Sequence, residues 1–249
     1  VTPGYQVRPV ATLGRVLQIL LAVVGVVSLI NDVWLFAQLR SGTYVLHVPE
    51  QVNGQVTQQP YLTGSRLASL GFVVWPVMLA TIVVWLVWQH HATENLWARG
   101  FRDLHIRPGW AVGWWFIPFA SLVMPCVAMV ELDRRSTPEG TPRRAGPLVG
   151  AWWGVYLGGA VVVWVGLFLA LLPGFADLGR AADARSTVFD LTPLAHTAAG
   201  WVLALGVVQA TAAALAIAVV RRIGDGQASM QAVPVPGWVP VPMRPDLGV

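Results

Sequence analysis

"PGWAVGWWFIPFASLVMPCVAMV", Pro108 to Val130, is the stretch that decides the fold. Its apolar length suits a membrane-crossing helix, which needs about 20 residues for a hydrocarbon core of roughly 30 Å. Pro118 and Pro125 interrupt it seven residues apart, removing two backbone donors and bending one helix face twice. If the chain crosses here it spans the membrane five times. If it dips and returns, it spans four times.

Outside this stretch, four segments have the length and apolarity to cross: Val16 to Leu39, Leu67 to Gln89, Val149 to Leu172 and Ala195 to Val220. Arginine placement chooses between the two threadings, because short cytoplasmic loops accumulate Arg and Lys. With five spans and the N-terminus inside, Arg8, Arg15, Arg99, Arg102, Arg107, Arg180 and Arg185 are cytoplasmic, seven against the remaining nine. With four spans, the seven arginines between His90 and Leu148 join Arg8, Arg15, Arg221, Arg222 and Arg244 inside. Twelve are then inside and only Arg40, Arg66, Arg180 and Arg185 outside.

The expected fold is therefore an all-α integral membrane protein: four transmembrane helices in a bundle, with both termini cytoplasmic. Residues 1–15 form a cytoplasmic N-terminal segment, 16–223 the membrane domain, and 224–249 a proline-rich mobile tail. Residues 108–130 form a proline-broken re-entrant or interfacial segment, with Pro118 and Pro125 as its kinks. Trp110, Trp114 and Trp115 place amphipathic rings at headgroup level, and the bent backbone has to pack against the other helices because lipid offers it no hydrogen bonds.

Composition agrees. In 249 residues, 55% are hydrophobic and 11% charged, against roughly a quarter charged in a soluble domain. A multi-pass protein of the plasma membrane is expected. All sixteen basic residues are Arg, and their dispersal between apolar segments argues against nucleic-acid binding despite a pI near 10.0. Cys126 stands alone, so no internal disulfide forms, and no Cys/His spacing resembles a zinc site. The first apolar run lacks a small-x-small cleavage pattern and reads as a retained anchor.

Between the spans, Thr43 to Thr57 combines β-branched residues with Asn53-Gly54, a short hairpin signal. Pro173 to Pro193 reads as one or two helical turns bounded by prolines. From Gly224 onward, "AVPVPGWVPVPMRP" reads as extended chain.

Three groups of residues stand out as packing or ligand candidates. Gly150, Gly154 and Gly158 recur every four residues, the spacing that lets two membrane helices approach closely. The expected partner is the alanine-rich last span of the same chain, with the same span of a second chain as the alternative. Asp32, about 24 Å up the first helix from Val16, is expected to snorkel to the outer headgroups. At the inner end of the second span, His90 with Glu94 and His91 with Asn95 form i,i+4 pairs. If the dip returns Glu131 to the face that Gln89 left, then His90, Glu94, Asn95, Trp114, Trp115 and Glu131 form a rim for a lipid headgroup or partner peptide. The competing reading has Glu131 paired with Arg134 or Arg135 and the tryptophans acting only as interface anchors. No nucleophile elbow, P-loop or dinucleotide fingerprint occurs, so no catalytic residue, metal ligand or cofactor is expected.

The run from Trp88 to Ser136 resembles an uncharacterised actinobacterial membrane family, domain of unknown function 4328. The resemblance rests on Trp88 and Asn95, then "PGWAVGWWFIP", Pro125, Glu131 and Ser136; the family often has asparagine where this chain has Ser121. It implies a multi-pass membrane protein and assigns no activity. A non-enzymatic scaffold, sensor or regulatory module contacting membrane lipids, a protein partner or a second copy is expected. The alternative is a small-solute channel or transporter subunit that uses the broken segment.

Overall fold

The computed structural model describes residues 8, 10–47, 51–52, 55–56, 61–64, 71–101, 104–137, 147–183 and 188–232. The chain opens with α1 (Ala11–Ser41), then strands β1 (Tyr44–His47), β2 (Gln51–Val52), β3 (Gln55–Val56) and β4 (Tyr61–Gly64). After α2 (Gly71–Ala98) come two short helices, α3 (Pro108–Gly113) and α4 (Met124–Arg135), with single 3-10 turns at Trp114–Phe116 and Ala120–Leu122 between them. Helix α5 (Pro147–Trp153) runs through a π turn (Gly154–Gly159) into α6 (Ala160–Asp183). Strand β5 (Val188–Asp190) leads into α7 (Thr192–Ala232).

Four helical stretches, Ala11–Ser41, Gly71–Ala98, Pro147–Asp177 and Thr192–Met230, are long and apolar enough to cross a membrane. They contain the four expected spans, apart from residues 67–70, which lie outside the described residues. Each extends beyond its apolar run, because hydropathy marks the apolar layer and not the helix end. Two boundaries need correction. Pro173 lies inside α6 and does not end it. Residues 224–232 belong to α7, so the helix runs eight residues past Gly224 before the expected tail begins; residues 233–249 lie outside the described residues.

The helices form a row more than a closed ring: α2 packs on α1, α1 on α7 and α7 on α6, while α2 and α6 share no extended contact. The central seam joins the first helix to the last. Small residues make it tight, since a Cβ on Gly25 would sit 3.1 Å from Ala213 and one on Gly206 would sit 2.9 Å from Asp32. Asp32 does not snorkel outward; its side chain is buried against α7 with one oxygen taking the Asn31 amide at 3.0 Å.

The glycine expectation also fails within the chain. Around Gly150, Gly154 and Gly158 an added Cβ meets nothing within 4 Å. Gly159, Gly166 and Gly174 make the contact instead, against Val208, Trp201 and Leu194 of α7. Val149 and Trp152 are the buried residues of α5, which leaves Gly150 on its outer side.

At the opposite end from the arginine-rich loops, β1 pairs antiparallel with β4 and also with β5, so the two long connections share one sheet. Strands β2 and β3 pair Val52 with Gln55, while the expected Asn53-Gly54 turn lies outside the described residues. Asp190 accepts the Thr192 N–H at 2.9 Å at the start of α7. Hydrogen bonds from Thr192 hold its carboxyl below the usual carboxylate range.

Candidate functional site

The segment from His105 to Arg135 folds into a short hairpin whose two ends meet. Glu131 on α4 accepts the backbone N–H of His105 at 2.8 Å and of Ile106 at 3.2 Å, and its Oε1 lies 3.1 Å from the His105 ring. On the other flank, His90 donates to the carbonyl of Pro108 and the Trp97 indole to that of Ile106. The neck is thus tied both to itself and to α2. A cavity of about 10 Å³ lined by Thr93, Leu104, Ile106 and Glu131 lies behind it, with room for about one water.

From the neck the hairpin runs back alongside the helices. Trp115 donates its indole N–H to Gln89 at 2.9 Å and lies edge-on to Trp85. Gln89 and Trp85 precede Ala98 by nine and thirteen residues, which places Trp115 roughly 14–20 Å along α2 from its end. Rings of Trp85, Trp115, Trp152, Trp153 and Tyr156 touch in sequence and close α2, α5 and the hairpin into one wall.

At the tip, Ala120 N–H donates to Pro118 O at 2.8 Å with Phe119 at φ 63° and ψ −43°. This is a γ-turn of the strained hand. Phe119 is the one non-glycine residue with positive φ among the described residues. Its side chain is 85% exposed and that of Phe116 69%. Trp153 satisfies a carbonyl freed by the turn, that of Leu122, at 3.1 Å. Pro118 therefore marks a chain reversal. Pro125 occupies the first turn of α4, where no backbone donor is needed, and does not kink a helix.

A buried polar knot joins the helix ends beside the neck. Gln227 of α7 accepts from Asn95 at 3.2 Å and donates to Ala92 O at 2.8 Å. Asn95 brackets the backbone of Arg8, accepting its N–H at 2.7 Å and donating to its carbonyl at 2.9 Å. Arg222 donates to the buried Asp133 at 2.7 Å. Gly226 lies so close to the carbonyl of Ser136 that an added Cβ would overlap it. The start of α1 and the ends of α2, α4 and α7 therefore meet at one end of the molecule.

The six rim residues divide into groups, with Trp115 reaching back along α2. Glu94 faces Arg8 at 3.6 Å and Asn95 sits in the knot. His90 and Glu131 hold the neck from two sides, Trp115 reaches Gln89, and Trp114 stacks on Trp110 at 4.7 Å. No hydrogen bond or ion pair joins Glu131 to His90, Glu94 or Asn95. The pairing of Glu131 with Arg134 or Arg135 does not form either; the neck amides take its place. Sequence reasoning missed Gln89, Asp133, Arg222 and Gln227. A signal existed for the last two, because the apolar period of α7 continues through Ile223 to Met230. Among the described residues, no three His, Cys, Asp or Glu side chains gather as a metal site.

The residues that carry this architecture, Asn95, the Pro108–Pro118 run, Glu131 and Ser136, fall inside one family match over residues 62–225. The chain belongs to the family described as Domain of unknown function (DUF4328). The DUF4328 match takes in the hairpin, α2, α5, α6 and α7 as far as Asp225, so the neck, the aromatic wall and the Arg222–Asp133 pair all lie within it. The chain matches no curated protein and no solved structure.

Proposed function

We propose that this DUF4328 protein is a non-enzymatic module of the plasma membrane, a scaffold, sensor or regulatory subunit. It threads the membrane four times with both termini cytoplasmic and inserts the His105–Arg135 hairpin into the inner leaflet. One observation carries the reading: a hairpin tied shut at its neck runs back along α2 through Trp115 and presents Phe116 and Phe119 outward at a strained turn. With Ile117, Leu122 and Val123 also exposed beside them, they form an apolar patch of the kind that contacts a membrane or a protein. The twelve arginines assigned to the hairpin side agree with the positive-inside rule.

The transporter alternative draws on Asp32, whose second carboxylate oxygen is buried without a hydrogen-bond partner. Buried acids within a membrane span serve ion pathways in other proteins. The Gly25–Ala213 seam below it is apolar and close-packed, which favours the module over the channel. The open face at Gly150, Gly154 and Gly158 is available to a protein partner or to a second copy.

Single cysteines at Arg107, Phe119 and Gly140, in a Cys126→Ser background, test the topology. In right-side-out vesicles all three should resist a membrane-impermeant maleimide, and a fluorophore at Phe119→Cys should report a lipid environment. Labelling of Arg107→Cys or Gly140→Cys alone from outside would refute the four-span threading, and water-like emission from position 119 would refute leaflet insertion.

A further inference from the structure

We propose that the groove between α7 and the exit of α4 binds a phosphate group, and that the phosphate is carried by an anionic lipid headgroup. The groove is open, measures about 550 Å³ and is lined by Ser136, Ala218, Arg221, Arg222, Asp225 and Ser229. It lies where the apolar run of α7 stops, with Ala218, Val219 and Val220 followed at once by Arg221 and Arg222. The proposal rests on the reading that this end of the molecule lies at a membrane surface.

Arg222 is already positioned for an anion. Only its Nε is engaged, donating to Asp133 Oδ1 at 2.7 Å, so both terminal nitrogens lack a partner among the described residues. Its side chain is 29% exposed while Asp133 behind it is 2% exposed. The outer edge of such a guanidinium is a planar pair of donors suited to phosphate oxygens. Arg221 meets only Asp225, at 3.9 Å and largely in solvent, a contact that holds it weakly. The hydroxyls of Ser136 and Ser229 already donate to Leu132 O and Gly226 O. Recognition therefore falls to the two arginines, with Asp225 as the negative group that an incoming anion displaces.

Size and polarity select the source of the phosphate. A groove in the several-hundred Å³ range of small-molecule sites is far larger than a phosphate ion needs, and its Ala218 end is apolar. A lipid fills both parts, with its headgroup on the arginines and its glycerol and first methylenes toward Ala218. Basic pockets between membrane helices bind anionic headgroups in this manner.

The test uses the full chain in nanodiscs of phosphatidylcholine mixed with phosphatidylglycerol, with retained lipid counted by native mass spectrometry. Phosphatidylglycerol should be retained in preference to phosphatidylcholine. Arg221→Gln should weaken retention about fivefold and the Arg221→Gln/Arg222→Gln pair about thirtyfold, while Asp225→Asn should strengthen it. Because losing Arg222 strands Asp133, Arg221→Gln is the deciding variant if the double variant does not fold. Equal retention by wild type and Arg221→Gln, or no preference in wild type, would overturn the site. Displacement by inorganic phosphate at matched concentration would overturn the lipid assignment in favour of a free anion. A Phe119→Cys fluorophore in the same nanodiscs separates the two readings: a wet tip with phosphatidylglycerol still retained removes the inserted hairpin and leaves the groove standing.

Discussion

Replacing Glu131 by Ala should open the hairpin at its neck and leave the helix row intact. The carboxylate accepts two backbone N–H groups, His105 at 2.8 Å and Ile106 at 3.2 Å, and is only 17% exposed. Hydrogen bonds to a charged acceptor contribute about 1.5–3 kcal/mol each. Taking the lower end for both gives about 3 kcal/mol, with nothing added for the solvent-exposed His105 ring. At about 1.4 kcal/mol per factor of ten, protection of these two amides should fall roughly a hundredfold. Glu131→Gln, which keeps a neutral acceptor, should lose about tenfold. Hydrogen exchange read by mass spectrometry in nanodiscs measures both, with peptides from the α1–α7 seam as internal controls. Unchanged exchange at His105 and Ile106 in Glu131→Ala would refute the latch. Equal acceleration in the seam would show that Glu131 acts on global stability instead.

Two further substitutions probe the packing. Gly159→Leu should disrupt folding in detergent far more than Gly154→Leu, because a side chain at Gly159 would press on Val208 while one at Gly154 meets open space; equal thermal midpoints would contradict the register of α6 on α7. Gln227→Leu removes the knot's hydrogen bonds to Asn95, the Ala92 carbonyl and Ser136. It should lower stability by about 2–3 kcal/mol, and a thermal midpoint within error of wild type would show that the knot contributes little.

The four spans were legible because the apolar layer of a membrane imposes a length that hydropathy reports directly. The hairpin was legible as an interruption at Pro118, but its γ-turn at Phe119 was not, since no residue preference announces a strained turn at a bulky side chain. Glycine spacing misled for a different reason. A four-residue repeat says which glycines share a face but not which way that face points, and Val149 and Trp152 take the side that packs on the core. The rim residues were expected to meet as one cluster and instead divide between the knot, the neck and the hairpin. Their partners, Gln227 and the amides of His105 and Ile106, belong to backbone positions and to a helix that continues past its apolar stretch.

The order of helices in the row constrains how the protein is made. Its central seam joins α1 to α7, two helices far apart in the order of synthesis. Helix α1 must wait in the bilayer, its Gly25 and Asp32 face without its partner, until some 190 later residues have been synthesised. Long-range pairings of this kind form late. A ribosome that stops before α7 releases a chain with a carboxylate bared to lipid, and such a chain is a ready substrate for membrane quality control.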